Sequence, residues 1–344
     1  MNLIVLGKKI QAGFDKRGRL FFSRRKAYSL RKKIIKEKNN QVVDNKLKKD
    51  LKAYSKDTFG NSAYWPWLAL YTEIRGEFKH GWLPDDYYTV IFLDEYCPED
   101  ARISNYKTFD HRLFPGFALE PVLVKISGQF YDSNKRELTI HEAQELLTGY
   151  GEEVVVKEDS QLGGSSVKFI ESTNIKLSSF FHLPNFIIQP LIKQHETLNK
   201  LSHNAVSTVR IITFLNKNGE IETKYTNFRF GVGDSRVDNT SAGGGFCFID
   251  ADGYLSEVAF DGMGMELGNK HSDTAFKFKN IKIPNYDIIL ESCIKSHRHY
   301  PYVKIIGWDV AVNKKGNPVL LEWNADPGLW LSEALIGPRF EDDF

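Results

Sequence analysis

The chain has 344 residues, 42% of them hydrophobic and 26% charged, with 46 Lys and Arg against 44 Asp and Glu. That composition is ordinary for a soluble globular protein large enough for two or three lobes, and no apolar run approaches the ~20 residues of a membrane span. Three widely spaced cysteines (Cys97, Cys247 and Cys293) form no CxxC pair and residues 1–7 do not read as a signal peptide, so the expectation is a cytoplasmic, reducing setting without structural disulfides or a zinc site.

Charge is unevenly spread. Residues 8–52 carry 17 Lys and Arg against 4 Asp and Glu, which leaves the remainder net acidic. Tyr28, Ile34, Ile35, Val42, Val43, Leu47 and Leu51 interrupt the basic run at helical spacing. The segment fits a pair of solvated helices resting on the body of the protein. It also fits peripheral attachment to an anionic membrane surface, at the inner face of the membrane, or to an anionic glycan carrier, each basic residue adding up to about 1 kcal/mol there. Nucleic acid is not expected as a partner, since no aromatic stacking platform or binding motif accompanies the charge.

The first hundred residues read as mainly helical and end in aromatic stretches, Tyr64-Trp65-Pro66-Trp67 and then 81–88, suited to core or an inter-lobe contact. From about Pro115 strands alternate with helices. Residues 121–126 read as a strand, and 139–147 as a helix with Thr139 at the N-cap and Glu142 at the capping-box spacing. The next strand, 152–157, closes on Lys157 and is followed by Gly163-Gly164-Ser165-Ser166. Such a turn brings backbone N–H groups to phosphate oxygens, serine hydroxyls add donors, and a lysine beside it supplies positive charge. The same residues suit an ordinary flexible loop, and no Gly-Lys-Ser/Thr follows to make a P-loop. Residues 185–192 form an apolar strand entering a proline hinge, Gln189-Pro190-Leu191-Ile192, which can offer backbone groups to an adenine edge or simply be buried. Hairpins dominate beyond it, and the mixture reads as α+β.

Two hairpins carry the remaining candidates. An Asn218-Gly219 turn within 206–230 sets Arg210 opposite Asn227 and Thr208 opposite Arg229, so Arg210 and Arg229 share a face. Two arginines there are costly unless phosphate or carboxylate meets them. In 303–324 a turn centred on Lys315-Gly316 sets Asp309 opposite Glu322, with Asn324 on the face of Glu322. Opposed carboxylates repel. An intervening cation would relieve them, and two carboxylates beside an amide oxygen suit Mg²⁺. The alternative is that both acids point into solvent. Other patterns carry less: Gly7 and Gly13 are too sparse for a dinucleotide fingerprint, the 250–253 turn lacks a calcium loop's further ligands, and His297-Arg298-His299 reads as helix-end solvation.

In order, these groups resemble the ATP-grasp superfamily over roughly residues 81–337, most closely its sugar-transfer-associated branch found with polysaccharide biosynthesis genes. The resemblance rests on Asp309 with Glu322-Trp323-Asn324, on Lys157 with its glycine-serine loop, on Lys107 in Ser104-Asn105-Tyr106-Lys107, and on the Gln189 hinge. The branch is carried by 204–210, Val237-Asp238-Asn239, Gly243-Gly244-Gly245 and Gly307-Trp308-Asp309. It implies an ATP-grasp fold of two α+β lobes clamping ATP: a basic helical region (1–80), a connecting or N-terminal lobe (81–120), a small lobe with phosphate loop and adenine hinge (121–192) and a large antiparallel lobe with the metal site (193–344). ATP would lie on Lys107, Lys157, Gly163, Gly164, Ser165, Ser166, Gln189, Pro190, Leu191 and Ile192, with Lys125 the alternative first lysine. One or two Mg²⁺ ions (Mn²⁺ as a substitute) would lie on Asp309, Glu322 and Asn324. The implied activity is carboxylate–amine ligation through an acyl phosphate, on a small-molecule or lipid-linked sugar carboxylate with an amine co-substrate. Its rivals are a sugar phosphotransferase and a non-catalytic ATP-binding scaffold. Where many superfamily ligases place an arginine two residues before the metal-binding Asp, this chain has Gly307, so Arg210 and Arg229 are the candidates for the acyl-phosphate clamp.

Overall fold

The computed structural model describes residues 3–97, 99–159, 167–202, 204–238 and 243–344. The basic N-terminal segment forms two helices, α1 (Leu3–Lys38) and α2 (Asn45–Phe59), followed by α3 (Trp65–Arg75). Asp44 caps α2 by accepting from the Leu47 N–H at 2.7 Å, and Gly60, with φ +72°, ends it in the left-handed conformation that glycine adopts without strain. Ala27 and Ile34 of α1, Leu51 of α2 and Trp67, Leu68 and Tyr71 of α3 pack together with Trp82 and Ala334. Part of the basic charge is paired with the body: Arg24 with Asp86 at 3.0 Å and Arg31 with Glu73 at 2.7 Å. No helix among the described residues is long and apolar enough to cross a membrane.

The small lobe is a six-stranded antiparallel sheet ordered β3-β2-β1-β6-β4-β5. Its strands are β1 (Leu123–Ile126), β2 (Gln129–Asp132), β3 (Glu137–Leu138), β4 (Glu153–Glu158), β5 (Lys168–Glu171) and β6 (Phe186–Pro190). The helix Ile140–Tyr150 packs on it through Ala143 and Leu147, and the Thr139–Glu142 capping box forms at its start. Sequence periodicity had not marked β2, β3 or β5, whose two to four residues are too short to establish a period.

The large lobe holds a seven-stranded sheet ordered β11-β10-β9-β8-β7-β12-β13. These strands are β7 (Thr208–Leu215), β8 (Ile221–Phe230), β9 (Gly245–Phe248), β10 (Ala259–Phe260), β11 (Glu266–Gly268), β12 (Ile305–Val312) and β13 (Pro318–Asn324). Val209, Ile211, Phe228, Trp308 and Val310 face one core, which also takes Ile289 and Cys293 of the helix Tyr286–His299. The opposite face is divided. Toward one end Ile212, Phe214, Tyr225 and Ile305 pack on Tyr88, Phe92 and Phe340; toward the other, Thr208, Arg210, Arg229 and Asp309 line a cleft.

Both hairpins differ from the expected turn in the same way. Asn216 and Asn313 each open a turn whose side-chain oxygen accepts two backbone N–H groups, and Gly219 (φ +81°) and Gly316 (φ +84°) occupy the left-handed position. This places the strand pairing next to the turn one residue out of the expected register. A bulge then restores it, between Ile212 and Thr213 in one hairpin and between Asp309 and Val310 in the other. Thr208 therefore faces Arg229, Arg210 faces Asn227 and Asp309 faces Glu322, as expected. His297 corrects a further expectation. It is fully buried rather than solvated, and its Nε2 and Nδ1 lie 2.8 Å from the Val303 carbonyl and 2.7 Å from Thr213 Oγ1. Since a carbonyl only accepts, Nε2 carries the proton, and burial pushes this imidazole down to about 4.

Candidate functional site

A cleft of about 510 Å³ lies between the two sheets. The small lobe supplies Val155, Lys157, Phe169 and the hinge 189–192, the large lobe Thr208, Arg210, Asn227, Arg229, Asp309, Glu322 and Asn324, and the connecting segment Lys107. Gly163, Gly164, Ser165, Ser166 and Asn239 lie outside the described residues.

Asp309 is central because β12 pairs with β7 on one side and β13 on the other. That pairing sets it opposite both Arg210 and Glu322. Arg210 donates from Nε to Asp309 Oδ1 and from Nη2 to Oδ2 at 2.7 Å, a two-pronged pair, while Arg229 Nη1 donates to Oδ1 at 3.0 Å. Burial disfavours the charged form of Asp309, but attraction to Arg210 and then Arg229 outweighs it and holds the carboxyl below its usual range. The two arginines on one face and the carboxylate facing another carboxylate are thus partners of each other. Glu322 has its own cation: Lys107 Nζ lies 3.5 Å from Oε1. Relief of carboxylate repulsion therefore comes first from the chain's own cations.

Gly307, where an arginine stands in many superfamily ligases, faces a steric limit. A Cβ there would come 2.7 Å from Pro327 Cβ, well inside van der Waals contact. No larger side chain fits unless Pro327 shifts.

The remaining candidates divide by location. Lys157 reaches the cleft and donates to the Leu321 carbonyl at 3.3 Å. Burial pushes its ammonium down, Glu322 opposes that, and Lys107 adds to it. Lys125 lies elsewhere, donating to the Phe181 and Leu183 carbonyls at 3.4 and 2.8 Å. At the hinge, Gln189 Nε2 donates to the Leu119 carbonyl at 3.2 Å, which fixes the amide's orientation. Gln189 Oε1 is left buried without a hydrogen-bond partner among the described residues.

Several site residues had no sequence signal of their own. Asp110 is buried and accepts from Trp323 Nε1 at 3.0 Å, which ties the connecting segment to the strand bearing Glu322 and Asn324. Burial pushes Asp110 well up, against the pull of Lys157. Thr108 donates from N and Oγ1 to Asp159 at 3.1 and 2.9 Å, next to the start of the expected phosphate loop. The only available cue was spacing, since Lys107 and Asp110 are one helical turn apart. Asp238, by contrast, was among the residues that carry the branch resemblance; it accepts from Thr208 Oγ1 and lies 3.9 Å from Arg229. Arg236 spans the cleft, donating to Glu153 Oε1 and Oε2 at 2.6 and 2.7 Å with its guanidinium carbon 3.9 Å from the centre of the Phe169 ring.

Against known proteins, the model of the sugar-transfer associated ATP-grasp family matches residues 126–338, well over half of the chain. No curated protein matches. Solved structures with a similar fold include an ADP complex of N5-carboxyaminoimidazole ribonucleotide synthetase (9% identity, 65% of this chain and 45% of that one, TM-score 0.38). Two more are D-cycloserine synthetase DcsG (11%, 68% and 70%, 0.38) and a biotin carboxylase–β,γ-ATP complex from Campylobacter jejuni (10%, 70% and 45%, 0.39). The chain spans 45% of the length of the first and the last of these structures. At that level of likeness no residue role or substrate transfers from them.

Proposed function

Because the chain belongs to the sugar-transfer associated ATP-grasp family, we propose that it is an ATP-dependent ligase joining a sugar carboxylate, free or lipid-linked, to an amine. The observation that carries this reading is the charge layout of one cleft. Lys107, Lys157, Arg210 and Arg229 surround Asp309, Glu322 and Asn324, and the apolar hinge adjoins them. Gln189 Oε1, an orphaned buried acceptor, suits the exocyclic amine of adenine. Leu191 and Ile192 with Val155 and Phe169 suit the ring, and Lys107 and Lys157 the phosphates.

The donor set also suits Mg²⁺, which is bound through one or two carboxylates and completes its shell with phosphate oxygens and water. Asp309 is held ionised, Glu322 keeps 26% of its side chain exposed, and Asn324 adds an amide oxygen on the same strand face. Among the described residues no cluster of three or more His, Cys, Asp or Glu could enclose a metal without such help. The metal, when bound, supplies charge neutralisation for the transferred phosphoryl group.

The residues would act by positioning and electrostatics. A carboxylate oxygen of the acceptor takes the γ-phosphoryl group and ADP leaves. The amine then forms the C–N bond, loses a proton, and phosphate departs. Arg210 and Arg229 flank the acyl phosphate, and they remain bound to Asp309 while doing so. The test is incubation with ATP, Mg²⁺, sugar carboxylates and amines. Amide, ADP and phosphate in equal amounts support the reading, a stable sugar phosphoester replaces it with a phosphotransferase, and ATP binding without turnover on any acceptor leaves a scaffold.

A further inference from the structure

One face of α1 meets little else among the described residues. Arg17, Phe21, Arg25, Tyr28 and Lys32 follow one another at three- and four-residue spacing, which puts them in a row along the helix, and Phe22 flanks them. Phe21, Phe22 and Tyr28 are 57%, 68% and 48% exposed. Two adjacent phenylalanines left open beside cations are an expensive arrangement in water unless something covers them. The other faces are occupied: Ala27 and Ile34 are buried against the body, and Arg24 and Arg31, to the side, are paired with Asp86 and Glu73. Between residues 15 and 38 the acids are Asp15 and Glu37 alone; helical spacing keeps both off the row, with Asp15 on the side of Phe22 beside Arg19.

The surface continues onto α2. Tyr28 meets Trp65 edge-on at 5.8 Å, and the Lys48 and Lys52 ammonium groups lie 4.9 and 5.7 Å from the centre of that indole. Rings and cations thus alternate along α1 and reach α2. Bases stack on open, parallel ring faces, whereas Phe21 and Phe22 meet edge-on at 5.7 Å and the Arg25 guanidinium lies over the Phe21 ring. An anionic lipid surface fits this row: rings sit at the headgroup level, and Lys and Arg stems lie along the apolar layer with their charges among the headgroups.

We propose that this face of α1 docks the protein on an anionic lipid bilayer, with Phe21 and Phe22 entering the headgroup layer and Arg17, Arg25 and Lys32 meeting acidic headgroups. The site rests on the N-terminal helices and not on the cleft, so it stands or falls separately from the ligase reading. Where the acceptor is lipid-linked, the docked helix would hold the cleft near it.

The full chain is sedimented with vesicles in which about a third of the lipid is phosphatidylglycerol and the rest phosphatidylcholine. The expected result is binding that pure phosphatidylcholine does not give. It should weaken at least about tenfold between about 0.15 and about 1 M salt, as the Debye length falls from about 8 to about 3 Å. Phe21→Ser with Phe22→Ser should weaken it by about tenfold or more while leaving the melting temperature unchanged, since both rings are exposed. The proposal is overturned by no binding to the anionic vesicles, by equal binding of the double variant, or by tighter binding to an RNA oligonucleotide than to vesicles at equal salt.

Discussion

On the cleft half of the large sheet's divided face, Asp309 lies beneath two arginines; on the other half, past Ile212, Glu333 lies against Tyr225. Both carboxyls are buried, and they respond in opposite directions. Asp309 is held below its usual range because Arg210 and Arg229 outweigh the burial. Glu333 meets neutral partners, the Leu83 N–H at 3.0 Å and the Tyr225 hydroxyl at 2.5 Å, and burial pushes it up to about 8. The Tyr225 hydroxyl has one proton and two oxygen neighbours, Glu333 Oε1 and the Gly337 carbonyl at 2.8 Å. A protonated Glu333 resolves this by donating to Tyr225, which donates to Gly337. Burial alone does not set the charge state; the charge of the partner decides it. One end of the face is built to keep ions and the other to exclude them.

Breaking the ionic end should have the largest effect. Arg210→Ala leaves Asp309 with one arginine, and removing a partner from a buried pair costs about 3–5 kcal/mol. Under the ligase reading, turnover should also drop by about 10²–10³, to be measured by thermal melting and by phosphate release. Gly307→Ala, at the boundary between the halves, drives a methyl group into Pro327 and should destabilise by about 1–3 kcal/mol, read from denaturant unfolding. At the neutral end, Glu333→Gln tests the sign of the linkage. The folded pKa is raised from 4.5 to about 8, so the native state holds the proton more tightly. Its contribution is complete below pH 4.5 and declines as pH rises toward about 8. Melting curves across that window should show wild type losing stability relative to Glu333→Gln as pH rises; parallel curves would contradict the raised value. The smallest effect belongs to Arg236→Ala. The Arg236 side chain is 40% exposed, so its loss should cost no more than about 1 kcal/mol. It should alter the rates of nucleotide entry and exit, in stopped-flow binding, more than the melting temperature.

How much of this was legible in the sequence depended on the range of the interaction. Local features could be read directly: the Thr139–Glu142 box, the helical basic segment, and both hairpin faces. The hairpin register survived at the site only because the turn offset and the bulge cancel. What neutralises Asp309 was not legible, because it depends on β12 pairing with β7. No turn dictates that contact between strands far apart in the chain. The sequence therefore presented two separate electrostatic oddities, paired arginines and opposed carboxylates, each appearing to need an external ion. Strand order joined the arginines to Asp309. Asp110 and Gln189 Oε1 were hidden for a similar reason, since nothing local marks a buried acceptor whose partner is a distant indole or is missing. Solvent exposure of Phe21 and Phe22 likewise required knowing which side of α1 meets the body.

The central claim is that the cleft binds ATP through a metal held by Asp309, Glu322 and Asn324. Its most direct test is calorimetric titration of ATP, with and without Mg²⁺, onto wild type and Glu322→Gln. The account predicts tight, Mg²⁺-dependent binding to wild type, and in the variant, still folded by its melting curve although the Lys107 ion pair is lost, no Mg²⁺ dependence. A variant that binds ATP as tightly as wild type, with the same dependence on Mg²⁺, would contradict it.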